Sequence, residues 1–188
     1  MSKAQLRSEA LVRRKAITAA EAAVLRAHLA REGMALLQGR PAGIASLYWP
    51  ILAEADPRAL LEALANAGIA TALPVTVSRA APLLFRLWKP GDPLVPGQMS
   101  IPEPAAHLPE CHPDILFIPL AAFDRRGYRI GYGAGHYDRA LASLRAKKPV
   151  LAVGIAYATQ EVSEVPAEPH DQRLDFVLTE RETISCRL

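Results

Sequence analysis

The residues best suited to chemistry in this chain lie between 123 and 141, F-D-R-R-G-Y-R-I-G-Y-G-A-G-H-Y-D-R-A-L. Gly131, Gly133 and Gly135 alternate there. Glycine at every second position lets backbone N–H groups converge without Cβ interference, which favours cradling an anion. Residues 115–120 read as a strand entering this stretch. Residues 137–145 read as a helix leaving it, with Leu141 and Leu144 at helical spacing and Arg139 and Arg145 outward. The glycines therefore sit where a helix begins, and a helix N-terminus stabilises phosphate-sized charge. A glycine-rich surface turn has the same local pattern, so the triplet by itself leaves both readings open.

Two acidic positions flank this space. Asp138 lies just inside the helix, and Asp171 follows His170 immediately before a strand expected over 174–179. Carboxylates beside phosphates commonly hold Mg²⁺, which takes oxygen ligands, keeps several waters and bridges to phosphate oxygens. Simpler readings also stand: Asp138 as a carboxylate stabilised by the helix dipole, Asp171 as a turn cap. His136 and His170 lie beside the aspartates, but their spacing matches no common zinc pattern. Several chemistries are absent outright. The sequence has no G-x-x-x-x-G-K-[ST], no H-E-x-x-H, no C-x-x-C and no nucleophile elbow, and its G-x-G-x-G is one residue short of the dinucleotide fingerprint.

The scaffold must hold these groups in one place. A chain of 188 residues favours a single domain, 1–188, and 51% hydrophobic with 22% charged residues is an ordinary globular composition. A formal charge of +3 suits an anionic small molecule and does not demand nucleic acid. Two cysteines, Cys111 and Cys186, are too few for a disulfide framework or a zinc site. With no apolar leader in M-S-K-A-Q-L-R and no stretch long enough to span a bilayer, the expected location is cytoplasmic, without a membrane partner, as a monomer.

Along the chain, 2–15 reads as a strongly basic helix, and the T-x-x-E capping box of Thr18 and Glu21 opens a second helix running to about Leu37, with His28 on its amphipathic surface. A buried strand is expected over 43–49, then a loop, 51–55, with one acidic residue, Glu54. That loop follows a strand's carboxyl end, where α/β sheets bind ligands, so Glu54 is either a ligand contact or a solvated carboxylate. Asp56 and Pro57 read as N-cap and first residue of a helix from 58 to about 67, ended by Gly68. Strands are expected over 69–77, 83–88 and 150–156. Residues 89–104, holding Met99 and the I-P-E-P segment around Glu103, read as a long irregular loop. Strands alternating with helices give the expected fold class: α/β, a three-layer α/β/α sandwich with a largely parallel central sheet.

The segment 113–138, P-D-I-L-F-I-P-L-A-A-F-D-R-R-G-Y-R-I-G-Y-G-A-G-H-Y-D, resembles the signature of the 5-formyltetrahydrofolate cyclo-ligase family, also called methenyltetrahydrofolate synthetases. K-A-Q-L-R near the N-terminus, the Glu54 loop, I-P-E-P and H-D-Q-R-L-D-F-V-L-T-E follow in the family's order, so the resemblance covers nearly the whole chain. It implies ATP- and Mg²⁺-dependent closure of 5-formyltetrahydrofolate to 5,10-methenyltetrahydrofolate through a phosphorylated formyl group, releasing ADP and phosphate. By the same resemblance, Lys3 and Arg7 would reach ATP phosphates, and Arg129, Ile130, Gly131, Tyr132, Gly133, Ala134, Gly135, His136 and Tyr137 would hold ATP and approach the formyl group. Arg129, Tyr132 and Asp138 would be catalytic, Asp138 and Asp171 would organise Mg²⁺, and Glu54 would accept from the pterin-like ring. Met99 stands near where many relatives carry an aromatic residue facing the folate, and the loop from Tyr132 to His136 would meet the folate as well. The chain departs from a commonly seen form, R-G-x-G-Y-Y-D, by Tyr132, Ala134 and His136. With an arginine missing from a phosphate cradle, Arg126, Arg139 or another cation is expected to compensate. The alternatives are a non-catalytic RNA- or nucleotide-binding protein on the same fold, and an isomerase or acyl-transfer enzyme on a similar scaffold.

Overall fold

Two unbroken apolar runs make the centre of the sheet. β7 (Ile115–Pro119) and β10 (Leu151–Ile155) pair in parallel, and nearly every residue of both is buried. Such runs belong to strands covered on both faces. The computed structural model describes residues 1–40 and 43–186, without the side chain of Met99. On one side of β7 lie β1 (Ile44–Ser46) and β2 (Ala70–Val75), and beyond β10 lies β11 (Phe176–Leu178), all parallel. Antiparallel strands close both edges: β3 (Leu84–Leu87) and then β6 (Glu110–Cys111) on the β2 side, and β12 (Thr183–Ser185) on β11. The eight-stranded order is β12-β11-β10-β7-β1-β2-β3-β6.

Alternate residues of β7 face opposite layers. Ile115 and Phe117 pack with Leu25 and Leu29 of α2 (Ala19–Ala35) and with Leu60 and Leu64 of α3 (Arg58–Asn66). Leu116 and Ile118 pack with Ala140, Leu141 and Leu144 of α4 (His136–Arg145). This is the expected three-layer α/β/α arrangement with a mostly parallel sheet. α1 (Lys3–Lys15) lies outside those layers, its Leu6 and Ala10 packed on Ala122 and Ile130. The latter two belong to a small hairpin of β8 (Ala122–Phe123) and β9 (Arg129–Ile130).

Local rules account for most helix starts. The Thr18–Glu21 capping box forms as expected, and Ser2 with Gln5 makes another at the start of α1. At α3 the expectation needs correction. Helical geometry begins at Arg58 with Pro57 as the cap, which makes no side-chain hydrogen bond. Asp56 still serves the turn, its Oδ1 accepting from the Arg58 N–H at 3.0 Å. The stretch 89–104 is not wholly irregular either. β4 (Leu94–Pro96) and β5 (Pro102–Pro104) form an antiparallel pair around a short 3-10 turn, Gln98–Ser100. Prolines are tolerated there because a two-stranded edge leaves backbone positions that need no donor. Glu103, on β5, is buried and accepts from the Thr76 N–H at 3.0 Å, a structural bond.

Asp124 knots the hairpin to the rest of the fold. It is fully buried, and its carboxylate accepts from the backbone N–H groups of Arg126, Tyr128 and Val165 and from the Arg126 guanidinium. Asp124→Ala strands those backbone donors, so a loss of about 3 kcal/mol is expected in chemical denaturation, with the slope against denaturant unchanged.

Candidate active site

The glycine loop joins β9 to α4 at the rim of the sheet. Gly133 and Gly135 have φ of +97° and +66°, a backbone that side chains with a Cβ rarely adopt, and Gly135 is the left-handed cap from which α4 starts. A Cβ on Gly133 would point at the guanidinium of Arg7, 3.7 Å from its Nη2. Arg7 is anchored to the same loop, its Nε donating to the Gly131 carbonyl at 2.7 Å. The loop backbone, the α4 N-terminus and one cation therefore lie together, a combination that suits phosphate.

Lys3, one helical turn before Arg7, reaches the other wall. Its Nζ lies 2.7 Å from Asp171 Oδ2 and 2.8 Å from Glu168 Oε2. Burial works against the Lys3 charge, but the bonds to these carboxylates outweigh it and raise its pKa. Asp171 shows the converse: burial pushes its pKa up, and the Lys3 bond with the Glu168 N–H brings it below the usual carboxylate value.

Asp138 occupies the first turn of α4 and pairs with Arg129. The Arg129 Nη2–Asp138 Oδ1 distance is 2.7 Å, and the same oxygen accepts from the Gln172 N–H at 3.0 Å. The Arg129 side chain is only 4% exposed, and its Nη1 donates to the Gln172 carbonyl. Arg129 thus lies behind the cradle, holding Asp138 and Gln172 in place. Asp138 is thereby bonded to the residue that follows Asp171. Each aspartate has one oxygen hydrogen-bonded by a cation and by a backbone N–H, an arrangement that fixes the carboxylate, and the second oxygen of Asp171 lies 3.9 Å from His170 Nε2. Hard oxygen donors on two anchored carboxylates beside phosphate space fit Mg²⁺.

Glu54 is buried rather than solvated. The loop turns tightly, Glu54 N–H to Ile51 carbonyl at 3.0 Å, and Glu54 Oε2 accepts from the Ile51 N–H at 2.9 Å. Burial raises the Glu54 pKa, opposed by the Ile51 N–H, the Tyr132 hydroxyl and the charge of Arg14. Tyr132 carries the glycine loop to this carboxylate, and burial together with Glu54 pushes its phenol up to about 12. Tyr137, just inside α4, and Tyr48, just past β1, are also raised by burial and by Glu54.

Of the residues singled out from sequence, Lys3, Arg7, Arg129, the 131–137 loop, Asp138, Asp171 and Glu54 lie around this rim. Met99 is on the 3-10 turn between β4 and β5, and its side chain is outside the described residues. Neither cation expected to compensate for the missing arginine comes to Tyr132. Arg126 is held by Asp124 and Glu164, and Arg139 donates to the carbonyls of Arg79, Ala81 and Ala134. Arg14 comes instead, its Nη1 donating to the Tyr132 hydroxyl at 2.7 Å. Sequence reading missed Arg14 and Gln172; only the position of Arg14 two and three turns beyond Arg7 and Lys3 on one helix hinted at a role.

A mostly parallel α/β/α sheet, with a glycine loop at a helix start and anchored carboxylates at its rim, is the architecture of α/β enzymes whose sites lie at the ends of the strands. Comparison with known proteins gives the family. Residues 1–180 match the 5-formyltetrahydrofolate cyclo-ligase family, and the chain belongs to it. It is 35% identical to the 5-formyltetrahydrofolate cyclo-ligase of Mycolicibacterium smegmatis, over 97% of this chain and 96% of that one. With the enzyme of the same name from Haemophilus influenzae it shares 32% identity, over 93% of this chain and 95% of the other. The solved structure of 5,10-methenyltetrahydrofolate synthetase from Aquifex aeolicus superposes with a TM-score of 0.76 at 27% identity, covering 100% of this chain and 94% of that one.

Proposed function

We propose that the chain closes 5-formyltetrahydrofolate to 5,10-methenyltetrahydrofolate, using ATP with Mg²⁺ and releasing ADP and phosphate. One observation carries the reading. The loop suited to phosphate and the buried carboxylate suited to a pterin-like ring meet at Tyr132, so the two substrates would lie side by side.

The chemistry requires that adjacency. A formamide oxygen leaves poorly as hydroxide. When the formyl oxygen attacks the γ-phosphorus, the bond from phosphorus to ADP breaks and the oxygen becomes part of a good leaving group. N10 then attacks the activated carbon and loses its proton, and phosphate departs with the former formyl oxygen, leaving the methenyl bridge. Phosphoryl transfer asks a protein mainly for positioning and charge neutralisation. Here the loop N–H groups, Arg7 and Lys3 would neutralise the triphosphate, and Glu54 would accept from ring N–H donors and set the folate's angle of approach. Arg129 would position Asp138, which with Asp171 would hold the metal. A Mg²⁺ ion held by these two carboxylates would supply neutralisation of phosphate charge.

The basic face of α1 supports a small-molecule site over an RNA surface, because Lys3, Arg7, Arg13 and Arg14 each donate within the chain. With 5-formyltetrahydrofolate, ATP and Mg²⁺, the purified protein should generate the near-ultraviolet absorbance of the methenyl product, and a chelator should stop it. Well-folded protein giving no signal would refute the reading. Lys3→Met should raise KM for ATP about tenfold while leaving KM for the folate near its wild-type value, because it removes one charge-assisted contact to phosphate.

A further inference from the structure

Arg14 is a buried cation to which neither phosphate nor folate gives a direct task. It stands in the last turn of α1 and is 4% exposed. Positions 3, 7, 10 and 14 repeat at helical spacing, so Arg14 shares a face with Lys3, Arg7 and Ala10. Besides the bond to the Tyr132 hydroxyl, its guanidinium carbon lies 5.8 Å from the centroid of the Tyr132 ring. Its Nε is buried without a hydrogen-bond partner. A buried guanidinium facing a neutral phenol, with one N–H unmatched, is a costly arrangement, which points to a task beyond packing. Glu54 is the carboxylate that feels both the Tyr132 hydroxyl and the Arg14 charge. Direction follows from donor chemistry. Arg14 can only donate, so the Tyr132 oxygen accepts, and the phenol proton is left to donate to the carboxylate.

We propose that Arg14 is a positioning residue for the folate half of the site: through Tyr132 it keeps Glu54 ionised and turned to accept hydrogen bonds from the substrate ring. The inference rests on the folate reading of Glu54. It also gives a reason for the departure at position 132. A cation supplied by α1 stands behind a tyrosine, and its charge serves the folate carboxylate instead of the triphosphate. Among the described residues, Tyr132, Tyr48 and Tyr137 are the other titratable groups facing Glu54. Phenols so raised are neutral at working pH, so Arg14 is the charge that favours the ionised form of Glu54, beside the larger effect of the Ile51 N–H.

The test compares Arg14→Met, Tyr132→Phe and the double variant with wild type, measuring kcat and KM for each substrate across pH. Each single variant should raise KM for 5-formyltetrahydrofolate about tenfold, the loss expected for one charge-assisted hydrogen bond, with KM for ATP unchanged. The acid limb of kcat/KM for the folate should move to higher pH, because Glu54 then binds its proton more readily. The double variant should be little worse than either single one, since both break the same relay. An acid limb left in place in folded Arg14→Met, or equal rises in KM for both substrates, would overturn the proposal. Should Arg14→Met fail to fold, Tyr132→Phe decides, because it keeps the ring against Arg14 and removes only the hydroxyl; an unmoved limb there overturns the relay. Wild-type protein that turns nothing over refutes the folate reading, whereas active wild type with an unshifted variant refutes the role of Arg14 alone.

Discussion

Asp138→Asn is expected to lower turnover about a thousandfold or more and, at the same time, to destabilise the fold by about 3 kcal/mol. The first effect follows from the role proposed for this carboxylate beside the metal and phosphates. The second comes from Arg129, whose guanidinium has a side chain only 4% exposed and finds its carboxylate partner in Asp138. An amide can still accept from Arg129 but leaves its charge uncompensated, and a buried unpaired charge costs far more than the ion pair contributes. The two effects separate in a double variant. Arg129→Met with Asp138→Leu removes both charges together and should recover most of the thermal stability while remaining inactive. Recovery of activity with stability would show that Asp138 serves only the ion pair.

Glu54→Gln should reduce kcat/KM for 5-formyltetrahydrofolate about a hundredfold, with KM for ATP near wild type, because an amide loses a charge-assisted acceptor in a buried place. Its effect on stability has the opposite sign. Burial raises the Glu54 pKa above its unfolded value, so the stabilising contribution of this group is full below the unfolded pKa and is lost as pH rises through the folded one. At neutral pH the ionised carboxylate therefore opposes folding. Glu54→Gln should melt at or above the wild-type temperature at pH 7, with the difference disappearing in acid. A lower melting temperature at pH 7 would mean that Glu54 is structural. The binding role thus runs against stability, as is common where a charge is held ready for a ligand.

Features set by neighbours in sequence were legible without a structure. The Thr18–Glu21 box, the stop at Gly68 and the glycine-to-helix junction at 131–137 are written within a few residues of where they act. So was the layering, since apolar runs such as 115–120 must be covered on both faces. The β8–β9 hairpin was not legible, because two-residue strands carry no period and the pairing depends on Asp124 gathering donors from Arg126, Tyr128 and Val165. The β4–β5 pair hid behind Pro96, Pro102 and Pro104, which ordinarily argue against strand. At the site, residue types revealed the candidates but not their partners. Arg129 reads as a cation for phosphate and lies behind Asp138, while Arg14 reads as one more charge on a basic helix and meets Tyr132 across 118 positions. Long-range pairing of this kind is decided by how α1 docks on the hairpin, which no local pattern records.

The glycine loop and Glu54 would place a triphosphate against a formyl group, and the route of one oxygen atom tests that placement most directly. 5-Formyltetrahydrofolate carrying ¹⁸O in its formyl oxygen, turned over with ATP and Mg²⁺ in ordinary water, should deliver the label to the released phosphate, one atom for each methenyl product formed. Label found in water with none in phosphate would contradict phosphoryl transfer to the formyl oxygen.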